Sequence, residues 1–457
     1  MWLGHIEVTV KGGRMSQGLH IIVGLGVTAF SCARYLSERQ IPFAVIDTRL
    51  QPPQLEAFKT LYPAVDIVLG AMDEALLSQA SLLVMSPGVS IKEPAIARQI
   101  ARGIPAIGDV ELFVREAKAP IIAITGTNAK STVTTLVGLM AEEAGLNVKV
   151  GGNLGVPALD LLDSLADLYV LELSSFQLET THSLCAKVAT VLNVTPDHMD
   201  RYDSVAAYQA AKLKIYQGAD TIVCNADDAL TDGNTGAQKF QFTLNTPGAQ
   251  QFGIRNHDGL AYLAFAEEPL LAVKSLPVLG RHYQANALAA LALGHGFGLP
   301  FAPMLKTLLA FKGLDHRCQF VREMNGVTWY NDSKGTNVGA TLAALEGLGP
   351  EIEGKLILIA GGLGKNADFS PLSNPLQKYV RSLILIGEAA PLLAESLGAK
   401  VEEVRFADSM DAAVKCAALL AKPGDSVLLS PACASWDMFK NFEHRGQVFT
   451  EIVQGLL

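Results

Sequence analysis

The chain has 457 residues, of which 49% are hydrophobic, so it can bury large cores and is expected to form about two to four domains. Its formal net charge of −9 argues against a general attraction to nucleic acid or to anionic membranes. No run reaches the roughly 18 apolar residues of a membrane span, and the first residues lack the apolar block of a signal peptide, so we expect a cytoplasmic protein.

The six cysteines are dispersed and form no CxxC pair, which indicates neither a disulfide framework nor a zinc site. Nothing before Met15 shows hydrophobic periodicity. We therefore interpret residues 1–15 as an extension or a frayed arm.

Short β-branched runs alternate with helical patterns along the chain, which predicts an α/β fold of parallel sheets covered by helices. The predicted strands are 20–26, 44–48, 81–88, 121–127, 168–175, 188–194, 355–362, 382–387 and 426–432. Glycine-rich turns after three of these strands each indicate the start of a separate α/β unit. We predict three domains, with a β-rich excursion at 230–275. The domains are 1–108, 109–313 and 314–457.

The first glycine-rich turn is VGLGVTAF at 23–30, and it has the form of a dinucleotide-binding fingerprint. Its glycines Gly24 and Gly26 let backbone amides approach a pyrophosphate at a helix N-terminus, and Asp47 after the next strand would meet a ribose or base. The alternative is a turn that serves packing alone. The MSPGV turn at 85–89 is expected at the same rim.

The second turn, TGTNAKST at 125–132, lies between a buried strand and a helix and resembles a phosphate-binding loop. Backbone amides and the helix dipole hold phosphates, Lys130 neutralises their charge, and the Ser131 hydroxyl ligates Mg²⁺. Ala129 and Ile124 stand where the full motif has glycines. We predict that Ala129 nevertheless has φ below zero.

Glu172 interrupts an apolar run at the end of a predicted strand. A carboxylate there is costly unless a cation or metal compensates it, and a Mg²⁺ shared with Ser131 would do so. The alternative is a glutamate turned to solvent.

Lys212 falls on the apolar stripe of a helix with Tyr208 and Ile215, while Lys214 points away. Its inward position is explained by snorkelling, by a salt bridge, or by a modified lysine beside a metal. His198, in the preceding NVTPDHMDRY segment, would by itself more often be a satisfied loop histidine than a ligand.

Three segments of the final third, at 329–340, 360–369 and 429–446, are expected at the C-terminal ends of strands. Ligands of open α/β sheets bind at this edge. The side chains suited to hold a small dicarboxylate or a nucleotide there are Lys334, Thr336, Lys365 and Ser435.

Taken together, the motifs resemble the Mur ligase family of peptidoglycan synthesis over essentially the whole chain after Met15. The segments that carry the resemblance are GLGVT, SPGV, GDVELF, GTNAKST, GGNLG, LELSSFQLE, NVTPDHMDRY, AAKLKIY, GRHYQANALAA, NDSKGTN, GKNADFS and LLSPACAS. The last four favour the D-glutamate-adding branch. The family implies an N-terminal Rossmann-like domain for a UDP substrate, a central P-loop-type ATPase with a mostly parallel sheet, and a C-terminal Rossmann-like domain for the amino acid.

The resemblance also implies a reaction: ATP-dependent addition of D-glutamate to UDP-N-acetylmuramoyl-L-alanine through an acyl phosphate, catalysed by a monomer. It implies two Mg²⁺ ions and a CO₂-derived carbamate on Lys212. The implied catalytic positions are Lys130, Asn153, His198 and Lys212, and the metal positions are Ser131, Glu172, His198 and the Lys212 carbamate.

The remaining positions implied by the family form three ligand sites. The ATP positions are Gly126, Thr127, Asn128, Ala129, Lys130, Ser131, Thr132, Asn286, Arg317 and Asp332. The UDP-substrate positions are Gly26, Val27, Thr28, Asp47, Thr48, Arg49, Gly88 and Asn153. The D-glutamate positions are Lys334, Thr336, Lys365, Ser435 and Phe442.

The sequence departs from the family pattern at Ala129, at Gly335, where alanine is common, and at Trp436, where a smaller residue is expected. Three alternatives stay open. A nicotinamide-dependent oxidoreductase would explain the first turn but would leave Lys130 and Lys212 unused. The others are a catalytically inactive nucleotide-binding scaffold and a sister ligase that takes another amino acid.

Overall fold

The computed structural model describes residues 18–233, 235–278, 280–365 and 367–456, so the predicted extension at 1–15 lies outside the described residues. The chain divides into two compact units. The first contains 18–118, 151–164 and 175–184, and the second contains 119–150, 165–174 and the residues from 185 onward. The predicted domain boundaries near 108 and 313 stay predictions.

The helices and strands alternate as expected for an α/β chain. In the described residues the strands are β1 (His20–Val23), β2 (Phe43–Asp47), β3 (Ile67–Leu69), β4 (Leu82–Met85), β5 (Ala106–Gly108), β6 (Ile121–Thr125), β7 (Val148–Gly152), β8 (Leu168–Glu172), β9 (Val188–Val191), β10 (Thr221–Asn225), β11 (Gln238–Phe242), β12 (Gln251–His257), β13 (Leu260–Phe265), β14 (Glu268–Ala272), β15 (Gln319–Met324), β16 (Val327–Asn331), β17 (Leu356–Gly361), β18 (Val380–Ile386), β19 (Glu403–Phe406) and β20 (Ser426–Leu429). The α-helices are α1 (Val27–Glu38), α2 (Leu55–Leu61), α3 (Glu74–Leu77), α4 (Pro94–Ala101), α5 (Asp109–Glu116), α6 (Lys130–Glu143), α7 (Ser175–Glu179), α8 (Val205–Leu213), α9 (Arg281–Phe297), α10 (Phe301–Ala310), α11 (Val338–Leu348), α12 (Ser373–Tyr379), α13 (Ala390–Leu397), α14 (Met410–Leu420) and α15 (Phe442–Gln454).

The sheet of the first unit has the order β3-β2-β1-β4-β5, and its strand pairs are parallel. The strand order reverses at β1, which pairs with β2 on one side and β4 on the other. Val23 at the end of β1 is level with Ile46 and Met85. The turns that follow β1 and β4 therefore open side by side at the switch point, where doubly wound sheets bind ligands.

The nine-stranded sheet has the order β14-β13-β12-β11-β10-β9-β6-β8-β7. β6 lies between β8 and β9, with Ile124 level with Glu172 and Thr125 level with Val191. The loops after these three strands therefore leave at one edge. The predicted β-rich excursion is confirmed as β11 to β14, of which β12, β13 and β14 pair antiparallel.

The third sheet has the order β15-β16-β20-β17-β18-β19, parallel except for the β15–β16 pair. Leu429 at the end of β20 is level with Asn331 and Ile359 on its two neighbours. The loops after β16, β20 and β17 consequently meet at one edge, which places three predicted motifs together.

The α/β fold with mostly parallel sheets is confirmed. Buried aliphatic side chains line both faces of these sheets, as continuous apolar strands require. No helix in the described ranges is long and apolar enough to cross a lipid bilayer.

Candidate active site

The phosphate loop connects β6 to α6 and is braced by the loop after β9. The side-chain amide of Asn193 accepts a hydrogen bond from the Asn128 backbone N–H at 2.8 Å and donates one to the Asn128 carbonyl oxygen at 3.2 Å. Thr127 donates its hydroxyl to the Thr195 carbonyl oxygen at 3.1 Å. These bonds fix the loop before any ligand arrives.

Ala129 is the N-cap of α6, and its backbone is left-handed, with φ 68° and ψ −9°. The prediction of φ below zero is wrong. The chain must turn sharply between β6 and α6, and the left-handed residue makes that turn, while the Ala129 carbonyl oxygen already accepts the first helical bond from Val133 at 3.0 Å. Such a conformation costs an L-residue with a Cβ atom about 1–2 kcal/mol.

Two lysine ammonium groups bind the same backbone oxygen in this loop. Lys130 Nζ and Lys212 Nζ each lie 2.8 Å from the Gly126 carbonyl oxygen, and Lys130 Nζ also donates to the Thr127 carbonyl oxygen at 2.9 Å. Lys212 is buried, as its helical position predicts, and its ammonium lies 4.4 Å from the centroid of the Tyr208 ring.

Burial lowers the pKa of Lys212 well below its ordinary value, and the neighbouring Lys130 ammonium lowers it further. Burial also lowers the pKa of Lys130, which the Arg317 guanidinium reinforces and Glu172 opposes. Three basic groups therefore converge on the phosphate loop. A polyphosphate would compensate their charge.

Glu172 ends β8 and is buried beside the phosphate loop. Ser131, also buried, accepts a hydrogen bond from the Arg317 guanidinium at 2.8 Å. A carboxylate and a hydroxyl are hard oxygen donors, which suits Mg²⁺ when phosphate oxygens and waters complete its shell. In the described residues no three or more His, Cys, Asp or Glu side chains cluster as a metal site would require. The donor set thus fits a Mg²⁺ held mainly by a bound nucleotide.

His198 lies in the loop after β9 with a left-handed backbone, φ 57°. Its Nε2 is 3.8 Å from Asp197 Oδ2, and its ring faces Tyr208 edge-on at 6.3 Å. Burial lowers the pKa of His198, with Asp197 opposing and Lys365 reinforcing the shift. The neutral imidazole that results is the form that binds metal ions.

Asp332 and Asn286, both predicted on the ATP side, lie in different elements. Asp332 follows β16 and accepts hydrogen bonds from Ser430 Oγ at 2.7 Å and from the Cys318 backbone N–H at 3.2 Å. Burial raises the pKa of the Asp332 carboxyl to about 6. Asn286 lies half-buried on α9.

A cavity of about 620 Å³ opens within the first unit at the switch point of its sheet, beside the turns that follow β1 and β4. The residues predicted for the UDP substrate all line it: Gly26, Val27, Thr28, Asp47, Thr48, Arg49, Gly88 and Asn153. The 151–164 segment supplies Asn153, so a part of the chain that follows the phosphate loop completes this cavity.

Asp47 is buried at the end of β2, and its carboxylate accepts hydrogen bonds from neighbouring residues. Its Oδ2 accepts the Leu25 backbone N–H at 2.7 Å and the Arg49 Nη2 at 2.6 Å. Burial acts to raise the pKa of Asp47, but these bonds outweigh it and lower the pKa. The carboxylate therefore shapes the turn after β1 and holds the Arg49 guanidinium at the cavity.

The loops after β16, β17 and β20 bring the predicted amino-acid site together. Lys334 Nζ lies 3.6 Å from the centroid of the Phe442 ring. Leu363 and Ala434 form an isolated antiparallel bridge, which ties the loop carrying Lys365 to the one carrying Ser435. Burial lowers the pKa of Lys334 to about 8, and Arg317 reinforces the shift.

The two C-terminal departures from the family pattern have different surroundings. A Cβ atom on Gly335 would lie 2.7 Å from Asp332 Oδ2 and 2.8 Å from Ser430 Oγ, so alanine would force these groups to move. Trp436 has 67% of its surface exposed directly after the buried Ser435.

The comparison with known proteins decides the family. UDP-N-acetylmuramoylalanine–D-glutamate ligase of Pseudomonas putida KT2440 is 55% identical over 443 residues, which is 96% of this chain and 98% of the relative. The relative of the same name from Nitrosococcus oceani is 52% identical to this chain, over 96% of this chain and 96% of the relative. Models of the Mur ligase MurD-like N-terminal domain, the Mur ligase middle domain and the Mur ligase glutamate ligase domain match residues 18–108, 124–294 and 316–433. The chain belongs to the Mur ligase family.

Solved structures of other Mur ligases share the fold at low sequence identity. UDP-N-acetylmuramate-alanine ligase of Thermotoga maritima matches with a TM-score of 0.60 and 19% identity, over 96% of this chain and 99% of that one. MurF of Acinetobacter baumannii matches with a TM-score of 0.61 and 16% identity, over 95% and 90%.

Sequence reasoning missed two residues of this Mur ligase site, Asn193 and Arg445. Asn193 lies near the end of the predicted strand 188–194, which was the available signal, but its brace on Asn128 depends on the pairing of β6 with β9. Arg445 is wholly buried and donates to the loops after β16 and β20. No local pattern distinguishes it from a surface arginine on α15.

Proposed function

We propose that this Mur ligase joins D-glutamate to UDP-N-acetylmuramoyl-L-alanine with ATP, giving ADP and phosphate, as a step of peptidoglycan precursor synthesis. The observation that carries the proposal is 55% identity over 96% of the chain to a relative named for that activity. The basic phosphate loop supports the use of ATP, and the cavity of the first unit supports a large second substrate.

In the proposed reaction the γ-phosphoryl group of ATP passes to the terminal carboxylate of the UDP substrate, and the amine of D-glutamate then attacks the acyl phosphate. Phosphoryl transfer needs mainly positioning and charge neutralisation. Lys130 supplies positive charge to the β- and γ-phosphates, and the braced backbone of 126–132 donates to them. Arg317, Asp332 and Asn286 hold the nucleotide, and Asn153 holds the UDP substrate near its reacting end.

Magnesium belongs to this proposal. Ser131 and Glu172 would hold one ion, and His198 with a carbamylated Lys212 would hold or adjoin the second. Bound there, Mg²⁺ supplies charge neutralisation of phosphate oxygens. The hard oxygen donors of Ser131 and Glu172, together with the neutral imidazole of His198, support the assignment.

The carbamate on Lys212 is proposed because burial lowers the pKa of this amine and so favours its neutral form, which is the form that reacts with CO₂. The resulting acid replaces a buried cation beside Lys130 with an anion. With ¹³C-bicarbonate, we expect a carbamate resonance in wild-type protein that is absent from Lys212→Ala, an inactive variant that bicarbonate does not restore. The same resonance in Lys212→Ala, or full activity of that variant, would rule out the role. Lys214→Ala, two residues further along the chain, is the matched control and should keep both the carbamate resonance and the activity.

The amino-acid pocket is assigned to Lys334, Thr336, Lys365 and Ser435, which come from three loops at one sheet edge, and to Phe442, the first residue of α15. The UDP end of the other substrate is assigned to the cavity of the first unit. We also propose that the enzyme is a monomer. Because it uses ATP, we propose that it acts in the cytoplasm.

A panel of amino acids tests the proposed function. Phosphate release is measured with UDP-N-acetylmuramoyl-L-alanine, ATP and Mg²⁺, and D-glutamate is compared with L-glutamate, L-alanine and meso-diaminopimelate. We expect release that depends on D-glutamate. Release with another member of the panel would indicate a sister ligase, and none at all would favour an inactive scaffold.

A further inference from the structure

Arg445 is a fully buried cation in the first turn of α15, beside the loops assigned to the amino-acid pocket. Its guanidinium donates to Ser333 Oγ at 3.0 Å, to the Ser333 carbonyl oxygen at 2.8 Å and to the Cys433 carbonyl oxygen at 3.1 Å. It therefore joins the loop after β16 to the loop after β20. None of these acceptors carries a charge.

The charge of Arg445 lacks a close counter-ion. Over the described residues, no carboxylate oxygen lies within the 4.0 Å of an ion pair with its guanidinium. Burial lowers the pKa of Arg445 to about 10, and the more distant Asp437 and Asp332 offset this only in part. The Cys433 thiol is neutral at physiological pH, because burial raises its pKa to about 12. A buried, uncompensated cation is costly, so a ligand anion is the natural partner.

Two further features make this end of the domain electropositive. The Lys334 ammonium lies on the ring of Phe442, the first residue of α15. The α15 helix also directs the positive end of its dipole here, with Asn441 accepting the His444 backbone N–H at 2.7 Å as its cap. The Glu443 and Asp437 carboxylates act on Lys334 and Arg445 only from a distance, and among the described residues neither forms an ion pair with them, so a ligand carboxylate would supply the close negative charge.

We propose that Arg445 is a positioning residue that makes this pocket select a dicarboxylic amino acid. Its guanidinium holds Ser333 and the Cys433 carbonyl in place, and its fixed charge lies behind both loops. The side-chain carboxylate of the incoming amino acid supplies the missing negative charge. The inference rests on the amino-acid pocket proposed above.

The test compares Arg445→Met, which removes the charge, with Arg445→Lys, which keeps it but loses the planar fork. Steady-state KM for D-glutamate and the inhibition constant of D-glutamine, its neutral isostere, are measured in each. For Arg445→Met we expect KM for D-glutamate to rise at least tenfold, while the D-glutamine constant and KM for ATP change less than threefold. For Arg445→Lys we expect both constants within about threefold of wild type.

Arg322→Met is the matched control, because Arg322 also binds main-chain oxygens, those of Val453 and Gln454 at the other end of α15 and of Leu456 just beyond it. It should leave KM for D-glutamate unchanged. An unchanged KM in folded Arg445→Met would overturn the inference, as would equal rises in the D-glutamate and D-glutamine constants. If Arg445→Met does not fold, Arg445→Gln, which also removes the charge but keeps a hydrogen-bond donor for the loop carbonyl oxygens, is measured in its place against the same expectations.

Lys365→Ala separates this inference from the pocket assignment. If Lys365→Ala raises KM for D-glutamate and Arg445→Met does not, only the role of Arg445 fails. If neither variant raises it, the pocket itself is wrongly assigned.

Discussion

The phosphate loop carries a methyl group at the one residue of its turn where glycine would be least strained. Ala129 has φ 68°, and its side chain packs against the core of the nine-stranded sheet. The packing of the methyl group offsets part of the backbone cost of about 1–2 kcal/mol. Because the strain is already present before a nucleotide binds, we expect it to lower stability more than it lowers nucleotide affinity.

Ala129→Gly is therefore expected to raise the free energy of unfolding by about 0.5–1 kcal/mol, after the greater freedom of glycine in the unfolded chain is subtracted. ATP affinity should change less than tenfold, within about 1.4 kcal/mol. Denaturant titration and calorimetry measure the two quantities. Ala144→Gly, at the right-handed C-cap of the same helix with φ −78°, should be neutral or destabilising. A loss of stability in Ala129→Gly would show that the left-handed turn is not strained.

Asp332 gives the site a pH-dependent contribution to stability. The pKa of its carboxyl is raised to about 6 in the folded protein, above the ordinary value of 3.8. The folded state therefore binds more protons than the unfolded state between about pH 4 and pH 6, and the stability that Asp332 contributes falls as the pH rises through that window.

Relative to Asp332→Asn, wild type should lose up to about 3 kcal/mol of unfolding free energy between pH 4 and pH 6. Denaturant titrations at several pH values measure the difference. Asp425→Asn is the control: the Arg381 guanidinium and two backbone N–H groups outweigh burial and lower the pKa of Asp425, so its carboxylate stays charged across the window. If the unfolding free energy of wild type relative to Asp332→Asn rose with pH, the predicted direction of the pH dependence would be wrong.

Loops at strand ends make the site, and the side chains that brace them come from segments that are distant in the sequence. Asn193 bonds Asn128 across 65 residues, and Arg445 bonds Ser333 across 112. The alternation of apolar runs was sufficient to predict the major strands and the loops after them. It could not predict which side chain braces which loop, because that depends on strand order.

Asn193→Ala removes two hydrogen bonds from the backbone of Asn128. Each contributes about 0.5–1.5 kcal/mol, so KM for ATP should rise about tenfold, with little change in KM for D-glutamate. Asn245→Ala is the control, since Asn245 lies in the loop between β11 and β12 and donates a hydrogen bond to Asp227, which follows β10. Initial rates at varied ATP measure the effect, and a wild-type KM for ATP in Asn193→Ala would show that the loop holds its shape without the brace.

At the scale of the molecule, the predicted α/β fold is confirmed, and the candidate residues fall into three groups. The residues predicted for the UDP substrate line one cavity of the first unit, Lys130, Lys212 and Glu172 lie around the phosphate loop, and the residues predicted for the amino acid lie in or directly after three loops of the third sheet. The backbone angle at Ala129 was predicted wrongly, because a single left-handed residue in the turn between β6 and α6 leaves no trace in hydrophobic periodicity. The buried charge of Arg445 was not predicted, because burial of a single arginine depends on the packing of α15.

The central claim is that ATP activates the carboxylate of the UDP substrate for attack by D-glutamate. The most direct test uses UDP-N-acetylmuramoyl-L-alanine labelled with ¹⁸O in its terminal carboxylate, and mass spectrometry of the phosphate released. An acyl phosphate leaves one carboxylate oxygen on the phosphate, so we predict D-glutamate-dependent release of phosphate that carries one ¹⁸O. Unlabelled phosphate, or labelled phosphate formed without amide product, would contradict the account.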